Sequence, residues 1–151
     1  MYLAFNDIAN LIPDRKGTID ENIFFYTVSD NANSPLSKGI FVPLSKESGE
    51  LAQALANGAI AAIWNKNLSV PHYTPNQFPL FLTDDPAETV WTVILRYLEK
   101  LDGETDKTMK MTKFDFLTKK LLNKNNETYD IAVMLNKAAA IRLNDQQGRR
   151  G

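Results

Sequence analysis

The chain contains no cysteine and a single histidine among its 151 residues. Without cysteine there can be no disulfide, no thiolate nucleophile and no zinc site built on thiolates, which fits a protein of the reducing cytoplasm. The one imidazole, His72, lies in a loop between prolines with no acid beside it, so a metal site or a catalytic dyad is not expected there. We therefore predict no metal, no cofactor and an exposed histidine.

The chain also lacks an excess of either charge and any long apolar run. Seventeen basic residues face eighteen acidic ones, so the net charge is −1 and gives no general attraction to nucleic acid or to an anionic membrane. No apolar run approaches the roughly 20 residues that span a bilayer. The N-terminus has no basic region and reaches Asp7 early, unlike a signal peptide. We expect neither nucleic acid nor a membrane as the partner.

What the chain does have is enough apolar residues, 44%, for a packed core in one domain. Its clearest pattern runs from Gly39 to Trp64. Ile40–Leu44 is an apolar run typical of a buried strand, Glu50–Asn57 has apolar residues at helical spacing, Gly58 stands where a helix ends, and Ala59–Trp64 is a second apolar run. This order predicts a βαβ unit with a parallel sheet.

The segments on either side extend the same α/β architecture. Asn22–Ser29 and Pro79–Thr83 have the composition of strands. Asp85, Pro86 and Glu88 mark a helix start, with the aspartate as N-cap. The helix that follows has one continuous apolar face. This face consists of Val90, Val93, Ile94, Tyr97, Leu98 and Leu101.

The composition of the sequence changes after Leu101, where a polar linker is followed by two further helical patterns. Phe114, Leu117 and Leu121 would line one helix. The second apolar stripe consists of Ile131, Met134, Leu135, Ala138 and Ala139. We thus expect an α/β domain over residues 1–101 and a helical extension over 102–151, which folds back on the sheet, pairs with itself or forms a homo-oligomer.

Five short motifs recur in the same order in a known family. They are Phe5–Ala9, Ser29-Asp30, Ile40–Leu44, Ala54–Ala61 and Thr83-Asp84-Asp85. Together, over residues 3–101, they resemble the N-terminal domain of the Mur ligases, which are ATP-dependent enzymes that add amino acids to UDP-N-acetylmuramoyl peptides. The likeness is closest to the D-alanyl-D-alanine-adding and the diaminopimelate- or lysine-adding ligases.

The resemblance implies that Ser29, Asp30, Asn31 and Lys46 contact a substrate. In the family, a Ser-Asp-Ser-Arg turn holds the uridine end of the nucleotide, whereas here Asn31-Ala32 replaces its last two residues. The family's second substrate loop is shortened to residues 45–50, without its Asp-Gly and histidine. For a pyrophosphate, the local donors are Lys46 and the N-terminus of the helix after it.

Residues 103–108 read GETDKT, where the family carries the P-loop of its ATPase domain. Gly103, Lys107 and Thr108 match that motif. Asp106 replaces the glycine that lets backbone N–H groups wrap the phosphates, and Glu104 adds a second negative charge. The segment is either a decayed P-loop or a chance match, followed by a helix over 109–122, and we expect no working ATP site.

Two further pairs of residues could belong to a functional site, and each pair also has an ordinary structural interpretation. Asp84 and Asp85 could form an acid–base pair, but acids before a proline at a helix start are usually caps. Ser29 and Asp30 end a strand, where they could contact a ligand or form an Asx turn.

Three hypotheses for function follow. The first is a non-catalytic Mur-type binding or regulatory module, with a UDP-sugar-peptide ligand or a protein partner. The second is a domain that binds UDP-muramoyl peptide within a longer amino-acid ligase. The third is a purely structural or oligomerising domain whose C-terminal helices make the contact. We favour the first.

Overall fold

A six-stranded sheet organises the fold in the computed structural model, which describes residues 2–102, 111–117, 120–122 and 128–130. The strands are β1 (Leu3–Ala4), β2 (Arg15–Lys16), β3 (Phe24–Phe25), β4 (Thr27–Ser29), β5 (Gly39–Phe41), β6 (Ala59–Asn65), β7 (Leu80–Thr83), β8 (Lys113–Asp115), β9 (Lys120–Leu122) and β10 (Thr128–Asp130). The helices are α1 (Phe5–Ala9), α2 (Leu51–Ala56) and α3 (Pro86–Asp102), and Lys46–Ser48 forms one 3-10 turn.

The large sheet has the order β2-β7-β6-β5-β4-β8. All neighbouring strands from β7 to β8 run parallel, and only β2 at the edge is antiparallel. The pairs β1–β3 and β9–β10 form two further small antiparallel sheets. The predicted α/β class is therefore confirmed.

The predicted βαβ unit is present, with β5 and β6 parallel and α2 between them. Gly58 lies just after α2 with a φ of +109°, a backbone conformation that residues other than glycine rarely adopt. A Cβ at this position would lie 3.0 Å from the Ser37 Cα atom, so a glycine also suits the close approach of the two segments. Strand β5 ends at Phe41, earlier than predicted, since Pro43 has no N–H to continue the ladder.

Side chains alternate between two cores on opposite faces of the sheet. Ile40, Ile63 and Phe81 face the core that contains α1 and α3. Phe41 and Trp64, from the same strands, face the core under α2. This alternation explains why each parallel strand reads as a continuous apolar run, because both of its faces are buried.

The position of α3 follows from the handedness of its connection. The crossovers β5–β6 and β6–β7 advance across the sheet in one direction, on the α2 face. The connection from β7 to β8 must return to the far side of β4, past three intervening strands. A right-handed crossover that reverses direction has to use the opposite face, which is where α3 lies.

Helix α3 begins and packs as predicted. The Glu88 N–H donates to Asp85 Oδ1 at 3.2 Å, so Asp85 acts as the N-cap. All six residues of the predicted apolar face are buried. One of them, Tyr97, accepts a hydrogen bond from the Thr112 N–H at 3.0 Å, which joins the helix to the segment before β8.

The predicted helix over 109–122 is wrong. Lys113–Asp115 is a strand parallel to β4, and Lys120–Leu122 is a strand paired with β10. The sheet therefore extends past the predicted boundary at residue 101. Phe116 is buried in the core beneath α3, so this segment serves the main fold rather than a separate helical extension. The second apolar stripe, residues 131–139, lies outside the described residues.

The single strand predicted over 22–29 is divided at Tyr26. Phe24–Phe25 pairs with β1, whereas Thr27–Ser29 belongs to the large sheet. The division occurs because the Tyr26 N–H donates to the Lys38 carbonyl at 2.9 Å while its carbonyl accepts from Lys113 at 2.9 Å. One continuous β-forming stretch thus serves two different sheets.

Candidate functional site

The loops that follow β4 and β5 meet beyond the carboxyl ends of these strands. The Val42 N–H donates to the Ser29 carbonyl at 2.8 Å, and the Ala32 N–H donates to the Ser48 carbonyl at 2.8 Å. These are the two loops to which the Mur resemblance assigns substrate contacts. The folded chain therefore brings them side by side at the edge where open α/β sheets bind ligands.

The loop after β5 is held by its own serines. Ser48 is buried, and its Oγ accepts from the Leu44 N–H at 3.0 Å and from the Ser45 N–H at 3.3 Å. Ser45 Oγ in turn accepts from the Glu47 N–H at 3.3 Å. These bonds form the 3-10 turn and present Lys46 to solvent.

A cleft of about 440 Å³ lies beside this turn, at the carboxyl ends of β5, β6 and β7. Its lining combines the loop after β5, the end of β6 and the first residues of α3. The lining residues are Pro43, Leu44, Ser45, Lys46, Asn65, Leu68, Asp84, Asp85, Pro86 and Ala87. Its size suits a small-molecule ligand.

Charges of both signs face the cleft. Lys46 is exposed and supplies the cation, and the N-terminus of the 17-residue helix α3 adds partial positive charge. Asp84 and Asp85 supply two carboxylates, of which Asp85 is buried and caps the helix. A smaller groove of about 230 Å³ shares these two aspartates and adds Glu88. The charge of the cleft is therefore mixed rather than strongly cationic.

The residues predicted from the Ser-Asp turn lie elsewhere. Ser29 and Asp30 are fully buried and, like Asn31, do not line the cleft. Ser29 Oγ accepts from the Asn31 N–H at 3.0 Å, and Asp30 Oδ1 accepts from the Leu117 N–H at 2.7 Å. The structure thus brings Lys46 to the cleft and uses Ser29 and Asp30 to hold the backbone.

Asp30 occupies the place where strand order reverses. Loops leave β4 and β8 at adjacent carboxyl ends, and in doubly wound sheets that position is often a ligand crevice. Here the Asp30–Leu117 hydrogen bond joins the two loops. The carboxylate therefore ties β8 to the sheet at this point.

Two lining residues were missed by the sequence reasoning. Asn65 ends β6, and its Oδ1 accepts from the Asn67 N–H at 2.9 Å. Leu68 follows in the same turn and is 56% exposed. From Asn65 onward the sequence showed only a polar loop. The one signal that Asn65 could belong to a site was its position directly after the apolar run of β6.

A further groove, of about 410 Å³, lies between α1 and α3. Lys100 Nζ forms an ion pair with Asp7 Oδ1 at 3.0 Å at its rim. Tyr97 also lines it, and burial raises the pKa of this phenol above 10.0, although hydrogen bonds from Thr112 act in the opposite direction.

The remaining predicted positions have different outcomes. His72 is exposed, as expected. Gly103, Lys107 and Thr108 lie outside the described residues. Within the described ranges, no group of three histidine, cysteine, aspartate or glutamate side chains could hold a metal ion. No helix in the described part of the chain is long and apolar enough to cross a bilayer.

Comparison with known proteins found no matching family model, no matching curated protein and no matching solved structure.

Proposed function

We propose that this chain is a non-catalytic binding module of the Mur ligase N-terminal type, whose ligand enters the cleft beside Lys46. One observation carries the proposal. The loops after β4 and β5 are joined through the Ala32–Ser48 hydrogen bond, and the second of them lines a cleft at the carboxyl ends of parallel strands. Ligands of open α/β sheets bind at this edge.

The uncharged part of the cleft lining supports a ligand of the muramoyl-peptide class, which has sugar and peptide groups in addition to its phosphates. Lys46 can neutralise part of a phosphate, but Asp84 and Asp85 oppose a dense negative charge. A ligand with peptide and sugar groups also has uncharged surface for Pro43 and Leu68. We expect UDP alone to bind more weakly than UDP-N-acetylmuramoyl peptide.

The non-catalytic part of the proposal is supported by residues 103–115. Glu104 and Asp106 place two carboxylates in the only segment that matches a P-loop. A P-loop also opens a helix, whereas Lys113–Asp115 forms a strand beside β4. The chain is thus better suited to recognition than to ATP-driven ligation.

Titration of the ¹⁵N-labelled protein with UDP and with UDP-N-acetylmuramoyl tripeptide tests the proposal. We expect chemical-shift changes at the amides of Ser45, Lys46, Asn65 and Ala87, since these residues line the cleft. Lys46→Ala should weaken binding roughly tenfold, the usual effect of losing a hydrogen bond to a charged group.

Lys16→Ala is the matched control, because it removes the same charge from the exposed edge strand β2. It should leave the titration unchanged. The proposal would be contradicted if neither ligand, at millimolar concentration, changed the chemical shifts of these amides. An equal loss of affinity in the two lysine variants would also contradict it.

A further inference from the structure

The two grooves beside α3 adjoin the ligand cleft and each other. Asp84 and Asp85 line both the cleft and the smaller groove, and Leu11 lines both the smaller and the larger groove. With volumes of about 230 Å³ and 410 Å³, the two grooves together follow α3 from its first turn to Lys100. We call them the α3 groove. The cleft is therefore one end of a longer depression.

The walls of the α3 groove come from two helices. On one side the lining residues of α3 recur every four residues, a spacing that places side chains on the same side of a helix. They include Glu88, Thr92, Arg96 and Lys100. The opposite wall is formed by α1 and the two residues after it, Asn10 and Leu11. The groove therefore runs along the axis of α3.

The charge of the lining changes sign along the groove. Asp84 and Glu88 are exposed at the end nearest the cleft. Arg96 is exposed near the other end, and no ion pair engages it in the part of the chain that the structure describes. Lys100 differs, because its Nζ is paired with Asp7. An anionic ligand terminus is thus repelled by the acids and attracted to Arg96.

Groups that can bond a peptide backbone line the middle of the groove. Asn10 is exposed, and its side-chain amide can both donate and accept. Thr92 Oγ1 donates to the Glu88 carbonyl at 3.0 Å, so its lone pairs can still accept from a ligand N–H. Leu11 and Val93 add apolar surface between these groups. An extended peptide presents amides and side chains in turn, and this mixed lining suits it.

We propose that the α3 groove binds the peptide stem of the ligand, with the terminal carboxylate of the stem at the Arg96 guanidinium; this inference rests on the proposed function. Eleven residues separate Asp85, beside the cleft, from Arg96, which is about 16 Å along the helix. Five residues of extended peptide span about 17 Å, whereas three span about 10 Å and end beside Thr92. The groove therefore favours a stem of five residues over one of three.

The end of the groove suits a single carboxylate. The planar fork of an arginine can donate to both oxygens of a carboxylate, which a lysine cannot do. Glu99 lies three residues beyond Arg96 in the same lining and repels further negative charge. The stem should therefore terminate at Arg96.

Titration of the ¹⁵N-labelled full chain with UDP-N-acetylmuramoyl tripeptide and with the corresponding pentapeptide tests the proposal. Both ligands should shift the amides of Ser45 and Lys46 in the cleft, and only the pentapeptide should also shift the amide of Arg96. Arg96→Ala should weaken pentapeptide binding roughly tenfold, the usual effect of losing a hydrogen bond between charged groups. It should leave tripeptide binding unchanged.

Two further variants serve as controls. Arg15→Ala removes the same side chain from the exposed strand β2, outside the lining of the cleft and of both grooves, and should leave both affinities unchanged. Arg96→Lys keeps the charge without the planar fork, so it should bind the pentapeptide more tightly than Arg96→Ala and less tightly than the native chain.

The outcomes separate this proposal from the proposed function. Shifts at the cleft amides without any at Arg96 would overturn the peptide groove and leave the proposed function standing. An equal loss of affinity for both ligands in Arg96→Ala would do the same. If neither ligand shifted the cleft amides, the proposed function would fail and this proposal with it. Shifts at Arg96 that depend on protein concentration alone, and that the pentapeptide does not reverse, would assign the groove to a second copy of the chain.

Discussion

Thr112 shows how one residue can join distant parts of the chain. Its Oγ accepts from the Leu3 N–H at 2.7 Å and donates to the Phe25 carbonyl at 2.6 Å. Its own N–H donates to the Tyr97 hydroxyl at 3.0 Å. The side chain is only 4% exposed, so losing these bonds would leave buried polar groups without partners. Thr112 therefore binds β1, β3 and α3 to the strand that follows it.

Tyr97 should make stability depend on alkaline pH. Burial raises its pKa above 10.0, so the folded protein favours the neutral phenol. This stabilising contribution is complete below the unfolded pKa of about 10 and is lost as pH rises toward the folded pKa. We expect the free energy of unfolding, measured by urea denaturation, to fall as the pH rises above about 9.

The control is Tyr97→Phe, which keeps the ring and removes the ionisable group. At neutral pH it should be less stable by about 1–3 kcal/mol, because the buried Thr112 N–H loses its acceptor. Its difference from the native protein should narrow at alkaline pH. A constant difference across the range would show that this phenol does not cause the alkaline loss.

Among the predicted site residues, Ser29 and Asp30 have the predicted place in the sheet, and the substrate contacts stay a prediction. Ser29 ends β4 and Asp30 follows it at the carboxyl edge of the sheet, as their pattern indicated. Their side chains turn inward to bond Asn31 and Leu117. The Asp30–Leu117 hydrogen bond could not be predicted from the sequence, because Leu117 is distant in sequence. No local pattern shows that the Asp30 carboxylate has a backbone partner.

At the scale of elements, α3 shows which features the sequence specifies well. Its start combines Asp85, Pro86 and Glu88, and its apolar face has a regular helical period. Cap and period are local properties, so helix bounds and the buried face could be read directly. Asp84 and Asp85 also suggested an acid–base pair, and the structure assigns Asp85 to capping, because its Oδ1 accepts from the Glu88 N–H.

Replacing the cap tests this assignment. Asp85→Ala should lower the free energy of unfolding by about 1 kcal/mol, the typical effect of losing an N-cap side chain. Asp85→Ser keeps an oxygen that can accept from the Glu88 N–H and should retain most of that stability. Thermal unfolding followed by circular dichroism measures both, and equal destabilisation by the two substitutions would argue against capping.

At the scale of the whole molecule, the sheet is completed by a strand that comes after the last helix of the α/β region. Strand β8 pairs with β4 at one edge, and Phe116 fills the core beneath α3 with 2% of its surface exposed. Arg15 and Lys16 form the other edge, where a short charged strand discourages pairing with another chain. Residues 1–101 therefore lack part of their own core.

Truncation provides the test. A 1–102 fragment should lose at least about 4 kcal/mol of stability or fail to unfold cooperatively, because it lacks the Thr112 hydrogen bonds and buried Phe116. A 1–117 fragment retains these groups and should unfold cooperatively in urea. Equal stability of the two fragments would contradict a structural role for β8.

The local chemistry of the chain was sufficient for the α/β class, the βαβ unit with Gly58, and the course of α3. Each of these depends on residues close together in sequence, namely a cap, a period or a turn. The sequence likewise indicated the carboxyl edge as the place for a ligand. The resemblance to Mur ligases stays a prediction.

Residues 113–115 could be understood only in the folded molecule. Their neighbours suggested one face of a helix, yet the open edge of β4 offers backbone partners, and Lys113, Phe114 and Asp115 pair with Thr27, Val28 and Ser29. A strand gains its hydrogen bonds from another strand, here more than 80 residues away, whereas a helix finds them within one turn. Local patterns therefore predict helices and turns well, and sheet membership follows from the tertiary fold.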